Sequence, residues 1–303
     1  MKDATLTRKA DLDHRSAIAL SDTVTIGGDT LLIVGGPCAV ESAAQMEQVA
    51  QSLSSTPVQA LRGGVFKPRT SPYAFQGMGE AGLQILADVR QRYAMPVISE
   101  VMAIDQIDIM ADYVDVLQVG SRNMQNFDLL KALGRTTKPV LLKRGLAATI
   151  EEFVMAAEYI LSHGNPNVVL CERGIRSFDP YTRNVLDLGA VVALKQITHL
   201  PVLVDPSHAA GKRELVPALA RAAIAAGADG LIVECHPVPE ESVSDARQAL
   251  TLEEMMALAH SLDPIAAALG RRIASVGIAH KPELEGVSGE ILFQRGSANA
   301  IAA

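Results

Sequence analysis

The chain has 303 residues, 49% of them hydrophobic, with 34 acidic against 27 basic side chains and a net charge of -7. That balance disfavours unspecific binding to nucleic acid or anionic membranes, and no run of about 18 uncharged apolar residues is available to span a bilayer. The start, MKDATLTRKADLDHRS, lacks a signal-peptide core, and Cys38, Cys171 and Cys235 are too few and scattered for a disulfide scaffold, so a reduced, soluble, cytoplasmic chain is expected.

Along the chain, VTIGGDTLLI suggests a small hairpin around Gly28 and Asp29 within an N-terminal extension, residues 1–30. Short aliphatic runs then recur: LLIVGGP from Leu31, VQALRGG from Val58, PVISEV from Pro96 and VDVLQVGS from Val114. KPVLLKRG from Lys138, NVVLCERG from Asn167, PVLVDPSH from Pro201 and GLIVECHP from Gly230 complete a set of eight candidate strands. Between them lie segments with apolar residues at helical spacing, such as SAAQMEQVAQSL, TIEEFVMAAEYILSHG and ELVPALARAAIAAG. Near-continuous apolar strands alternating with helices predict a parallel sheet, and eight such units predict a single (β/α)8 TIM barrel over residues 31–270. A doubly wound open sheet is the alternative, disfavoured because no G-x-G-x-x-G turn follows the first strand. The last helix should run through LEEMMALAHSLDPIAAALG, kinked or divided at Pro264, before a C-terminal tail over 271–303.

Barrels of this kind carry their reacting groups where the strands end. The strand ends here bear Cys38, then Arg62, Lys67 and Arg69, Glu100, Arg122, Lys143 and Arg144, Arg173 and Arg176, His208, and finally Glu234 and His236. So many cations on one rim of an acidic protein repel one another unless anions meet them, which implies a small ligand with more than one anionic group. Lys143 should point to the barrel axis, and Arg144, one residue on, to the other face. Cys38 shares its rim with His208, Glu234 and, in SVSDARQ, Asp245. Thiolate, imidazole and two carboxylates suit Mn, Fe, Co or Zn, while a Cys38–His208 nucleophilic pair is the rival reading. Cys171 and Cys235 read as core thiols, His236 as a residue that either supports the ligands or caps its strand, and Glu151 and Glu152 as capping residues after Thr149.

Taken together, GGPCAVES, LRGGVFKPRTSPYAFQG, GSRNMQNF, KPVLLKRG, LCERGIR, LVDPSHAAG and VECHP, followed by SDARQ, make the sequence resemble the 3-deoxy-7-phosphoheptulonate (DAHP) synthases, in the smaller class related to 3-deoxy-octulosonate 8-phosphate synthases. The resemblance runs from about Leu31 to Gly270. It implies a condensation of phosphoenolpyruvate with erythrose 4-phosphate that opens the shikimate pathway. It further implies one divalent ion on Cys38, His208, Glu234 and Asp245, phosphoenolpyruvate on Arg122, Lys143 and Arg173 with Arg62 and Lys67 nearby, and erythrose 4-phosphate against Lys67, Pro68, Arg69, Thr70 and Ser71. In that reading Lys143 assists proton movement and Glu100 positions water, beside Cys38 and His208 at the reacting centre. The segment KPRTS follows the heptulonate pattern, whereas the octulosonate branch, with a five-carbon sugar phosphate, typically carries a KANRSS-like segment. Relatives assemble as homodimers or homotetramers, and some carry an added regulatory domain for which thirty N-terminal residues are too few. A catalytically silent sugar-phosphate sensor and a metal aldolase that retains phosphate are the remaining alternatives.

Overall fold

The structure, a computed structural model, describes residues 3–67 and 71–273. Pro68, Arg69, Thr70 and the tail beyond Ile273 lie outside the described residues. The strands are β1 (Ala17–Ala19), β2 (Thr25–Gly27), β3 (Thr30–Gly36), β4 (Ala60–Arg62), β5 (Val97–Val101), β6 (Val116–Val119), β7 (Val140–Lys143), β8 (Val168–Glu172), β9 (Val202–Val204), β10 (Gly230–Glu234) and β11 (Arg272–Ile273). The helices are α1 (Ala43–Leu53), α2 (Glu80–Tyr93), α3 (Ile107–Tyr113), α4 (Phe127–Leu133), α5 (Ile150–Ser162), α6 (Leu188–Ile197), α7 (Pro206–Ala210), α8 (Val216–Ala225), α9 (Leu252–Ser261) and α10 (Asp263–Ala268).

Strands β3 to β10 pair in parallel in sequence order, β3 with β4 through β9 with β10, and one further parallel pairing, β3 with β10, closes the sheet. This is the (β/α)8 barrel and not the open doubly wound alternative, because an open sheet would leave β3 or an equivalent strand with an unpaired edge. Closure brings the backbones of β3 and β4 close together. At Gly36, where φ is +146°, a Cβ would sit 2.2 Å from the carbonyl oxygen of Arg62, so only glycine fits.

Period-two alternation divides the strands between two cores. One face, with Leu31, Ile33, Leu61, Val97, Leu117, Leu142 and Leu170, packs outward against the helices. The other, with Leu32, Val34, Ala60, Ile98, Val116, Leu141, Val169, Leu203 and Ile232, fills the barrel. Ile18, Leu20, Val24 and Ile26 join that inner cluster from β1, β2 and the turn between them, closing the end of the barrel opposite the strand C-termini. Each fully buried aliphatic side chain of this kind contributes about 1.5–3 kcal/mol.

Helix starts follow local chemistry. Ser42 accepts from the Gln45 N–H, and Thr149 and Glu152 form a reciprocal cap on α5, which accounts for Glu152 without catalysis. Pro264 divides the last helical segment into α9 and α10, as its place at the first turn of α10 allows. Beyond α10, Arg272 and Ile273 pair with Thr30 and Leu31. No helix among the described residues is long and apolar enough to cross a membrane.

Candidate active site and metal centre

The same alternation that fills the barrel builds the site. On six of the eight barrel strands, the inward position two residues after an inward apolar residue turns polar: Arg62 after Ala60, Glu100 after Ile98, Gln118 after Val116, Lys143 after Leu141, Asp205 after Leu203 and Glu234 after Ile232. These side chains form a polar layer on the apolar one. Above it opens a cavity of about 320 Å³ lined by Cys38, Arg62, Lys67, Glu100, Gln118, Arg122, Lys143, Arg173, Arg176, Arg183, His208 and Asp245 among others.

Ligand atoms of Cys38, His208, Glu234 and Asp245 all lie within 4.8 Å of one another. Cys38 comes from the loop after β3, His208 from α7, Glu234 from the end of β10, and Asp245 from the loop after it, where φ is 57°. The His208 Nδ1 stands 2.7 Å from Asp205 Oδ2, which leaves Nε2 facing Glu234 Oε1 at 3.2 Å and Asp245 Oδ2 at 3.9 Å. Glu234 Oε1 is buried and has no hydrogen-bond partner among the described residues. The sulfur of Cys38 lies 3.1 Å from Asp245 Oδ2 and receives Lys67 Nζ at 3.0 Å and Ser244 Oγ at 3.2 Å. A soft sulfur, one nitrogen and two carboxylates converging on a common point, with an orphaned buried oxygen among them, fit one Mn, Fe, Co or Zn ion.

The electrostatics divide over this reading: without a cation they keep the Cys38 thiol protonated, whereas they hold His208 and the carboxylates in the forms a metal takes. Burial and the neighbouring Glu234 push the Cys38 thiol up to about 12, against the pull of Lys67. Burial also lowers the pKa of His208, which favours the neutral imidazole that a metal requires, although Asp205 and Glu234 oppose it. For Asp205, burial raises the pKa, but the charges of His208 and Lys143 outweigh it and hold the carboxyl well below its usual range. Asp245 is likewise held low by His208 and Arg183 in spite of burial.

On the cavity walls, Lys143 pairs with Asp205, tying the base of the site to His208. Arg62 is buried, with Nη1 3.3 Å from Glu234 Oε1, yet its Nε and Nη1 have no hydrogen-bond partner among the described residues. Arg173 is buried with one long contact, 3.5 Å to the Gly174 carbonyl. Arg122 and Arg176 are exposed cavity-lining residues without a side-chain partner among the described residues. The buried, under-partnered guanidinium groups of Arg62 and Arg173 call for an anion, since burying their charge unpaired is costly, and the forks of Arg122 and Arg176 suit the same ligand.

The structure brings together Cys38, Arg62, Lys67, Glu100, Arg122, Lys143, Arg173, His208 and Asp245 around this cavity, with Glu234 beneath. Ser71 is exposed and its hydroxyl accepts from the Tyr73 N–H at 3.3 Å, away from the lining. Arg144 turns to the opposite face, where it pairs with Glu172 at 2.8 Å and Asp187 at 3.0 Å. His236 does not support the metal ligands: its Nδ1 accepts from the Val238 N–H and its Nε2 faces Glu41 at 3.5 Å, so it shapes the strand end. Cys171 faces the barrel interior and Cys235 the outer core, both buried.

Sequence reasoning missed Asp205, Gln118, Ser244, Arg183, Asn184 and Gln248. Strand parity could have found the first two, because each stands two residues beyond an inward aliphatic. Nothing local points to the others, which sit on loops.

Comparison with known proteins agrees with this architecture. The chain is 49% identical over 258 residues, 85% of its length and 76% of the relative's, to a phospho-2-dehydro-3-deoxyheptonate aldolase of Thermotoga maritima. It is 34% identical over 261 residues, 78% of its length and 93% of the relative's, to a 2-dehydro-3-deoxyphosphooctonate aldolase of Syntrophotalea carbinolica. A crystal structure of the T. maritima DAHP synthase superposes with a TM-score of 0.86 at 46% identity, covering 90% of this chain and 79% of that one. A truncated form of that organism's 3-deoxy-D-arabino-heptulosonate 7-phosphate synthase gives 0.82 at 44%, covering 88% and 98%. The sequence profile of the DAHP synthetase I family matches residues 9–269, and with this barrel and these relatives the chain belongs to that family.

Proposed function

We propose that the chain condenses phosphoenolpyruvate with erythrose 4-phosphate and water to give 3-deoxy-D-arabino-heptulosonate 7-phosphate and inorganic phosphate, with one divalent ion, as the first step of the shikimate pathway. The observation that carries the reading is the meeting of Cys38, His208, Glu234 and Asp245 within 4.8 Å beside a cation-lined cavity. Higher identity to the heptulonate relative than to the octulosonate relative supports the four-carbon sugar over the five-carbon one.

In this mechanism Arg62, Arg122, Lys143 and Arg173 neutralise the carboxylate and phosphate of phosphoenolpyruvate, so that two anionic substrates share one small cavity. Lys67 together with Pro68, Arg69 and Thr70 receives the sugar phosphate, and Ser71, outside the cavity lining, ends that segment. When bound to Cys38, His208, Glu234 and Asp245, the ion supplies Lewis-acid polarisation or orientation of the aldehyde. C3 of phosphoenolpyruvate then forms the new carbon–carbon bond to the aldehyde carbon, and C2 becomes electron-poor. Water adds at C2, guided by Glu100, and releases one proton that replaces the one Lys143 gives up. The phosphohemiketal then passes its hydroxyl proton to the departing phosphate as the C–O bond breaks and the C2 ketone forms. Lys143, poised on Asp205, donates to the oxygen that was the aldehyde.

The test is phosphate release from phosphoenolpyruvate with erythrose 4-phosphate or arabinose 5-phosphate, with and without a chelator. The expected result is release with the four-carbon sugar that chelation abolishes and added divalent ion restores. Preference for arabinose 5-phosphate would move the chain to the octulosonate branch, carbon–carbon bond formation without phosphate release would make it an aldolase, and turnover untouched by thorough chelation would remove the metal. We place this activity in the cytoplasm, in a homodimer or homotetramer, which light scattering checks.

A further inference from the structure

The carboxylates of the candidate metal set are each held at one oxygen from outside the set and turn the other toward it, Glu234 Oε1 with Arg62 Nη1 3.3 Å away. Glu234 Oε2 accepts Gln248 Nε2 at 2.6 Å, while its Oε1 turns to His208 Nε2. Asp245 Oδ1 accepts Arg183 Nη1 at 2.9 Å, while its Oδ2 turns to Cys38 and His208. One group joins the two restraints: the same Arg183 Nη1 also donates to Gln248 Oε1 at 3.1 Å. An arginine can only donate, so the Gln248 carbonyl must face it and the Gln248 amide nitrogen must face Glu234. The relay therefore has one self-consistent hydrogen-bond direction. Gln248 is 2% exposed, where a misdirected amide would leave buried groups unpaired.

The backbone around Arg183 is fixed against the element that carries the imidazole ligand. The Arg183 and Asn184 N–H groups donate to Ala210 and Ala209 carbonyls of α7 at 3.0 and 2.8 Å, and Asn184 Nδ2 donates to the His208 carbonyl at 3.0 Å. Gly211, with φ +66°, leaves its Cβ direction to Arg183, whose own Cβ would lie 2.6 Å from any side chain placed there. Asp245, a non-glycine residue at φ 57°, sits in a conformation that needs side-chain anchoring of this kind.

We propose that Arg183 and Gln248 are positioning residues that together hold Glu234 and Asp245 in their ligating orientation. The proposal rests on the metal-dependent reading above. Neither residue ligates; each acts by removing one oxygen of a carboxylate from competition and aiming the other at the site. Partners that orient ligands in this way are typically worth about 10–100-fold in metal affinity.

The experiment compares full-length wild type, Arg183→Ala, Gln248→Ala and the double variant by competition for Zn2+ and Mn2+ against a chromophoric chelator, and by the thiolate-to-cobalt charge-transfer band of Co2+-loaded protein. Each single variant should lose about 10–100-fold in affinity. The cobalt band should persist but shift, because Cys38 stays while the carboxylates reorient. The double variant should lose little more than the worse single one, as members of one relay do. Gln248 lies outside the cavity lining, so at saturating metal kcat of Gln248→Ala should recover most of its loss with KM for phosphoenolpyruvate near the wild-type value. Arg183 is partly exposed and its truncation is compatible with folding, so wild-type affinity and an unmoved band in Arg183→Ala overturn the proposal whatever Gln248→Ala does. Fully additive losses overturn the relay. A wild-type chain that holds no divalent ion would instead sink the metal-dependent reading, which separates the two failures.

Discussion

Nε2 of His208 and Oε1 of Glu234 face each other across 3.2 Å, and the other imidazole nitrogen is already engaged by Asp205. With Nδ1–H donated to Asp205, a neutral imidazole presents a lone pair to a carboxylate oxygen, a repulsive arrangement that a cation between them reverses. Metal binding should accordingly stabilise the fold. An ion at about 100 times its Kd adds about 2.7 kcal/mol, so chelation should lower Tm by several degrees and readdition of Zn2+ or Mn2+ should restore it. An identical melting curve with and without chelator would count against an ion at this site.

Replacing Cys38 by serine tests the softest ligand. The sulfur is buried beside Lys67 and Ser244, and a serine oxygen, though smaller, can still accept from both donors after they close in slightly. The barrel should stay folded by circular dichroism, while metal affinity and phosphate release fall beyond the about 10–100-fold that a merely supporting partner costs. Retention of Zn2+ at wild-type affinity would contradict the ligand assignment.

Gly120→Ala probes Glu100 without touching it. A Cβ at residue 120 would lie 2.0 Å from Glu100 Oε1, the mobile end of a side chain, so the carboxylate should swing aside while the backbone stays. Displacing a positioned group by about 1 Å can cost on the order of 100-fold. We expect a kcat loss of about 10–100-fold with Tm changed by only a few degrees, read by steady-state kinetics and calorimetry. Unchanged kcat would show that Glu100 need not occupy that position.

Arg144 should prove structural. Its Nη1 pairs with Glu172, fully buried, and with Asp187, and its Nε donates to the Ala148 carbonyl at 3.0 Å. Arg144→Ala leaves the Glu172 carboxylate buried without its counter-charge, which typically costs about 3–5 kcal/mol. Urea denaturation should register that loss. A destabilisation below about 1 kcal/mol would mean that solvent or Gly174 N–H compensates Glu172.

The N-terminal arm should be released by acid. Glu158 accepts the N–H groups of Thr5, Leu6 and Thr7 at 3.0, 2.7 and 2.9 Å and both threonine hydroxyls. Burial raises its pKa, but the hydrogen bonds from Leu6 and Thr7 prevail and lower it below the ordinary glutamate value. A carboxyl depressed in the folded state contributes stability above its unfolded pKa of about 4.3, and that contribution is lost as pH falls through the lower folded value. Tryptic cleavage after Arg8 or Lys9 should speed up in Glu158→Ala at neutral pH with catalysis intact, and arm amides should lose exchange protection in wild type below about pH 4. Cleavage rates equal to wild type would show that Glu158 does not hold the arm.

The barrel, its strands and the rim on which the chemistry lies are legible in the order of amino acids. Those follow from local rules: aliphatic runs such as VVLCE bury on both faces only in a parallel sheet, and strand parity aims Lys143 inward and Arg144 outward wherever the strand is straight. Capping of α5 by Thr149 and Glu152 was equally legible, because a cap is a contact between residues three apart. Only tertiary structure could decide that Cys38 meets Asp245, 207 residues away, or that His236 faces Glu41 and not the metal ligands. It alone joined Arg183 to Gln248 and through it to Glu234. Such contacts come from loops whose paths are fixed by closure of the sheet and by hydrogen bonds to neighbouring units, and no periodicity in the chain encodes them.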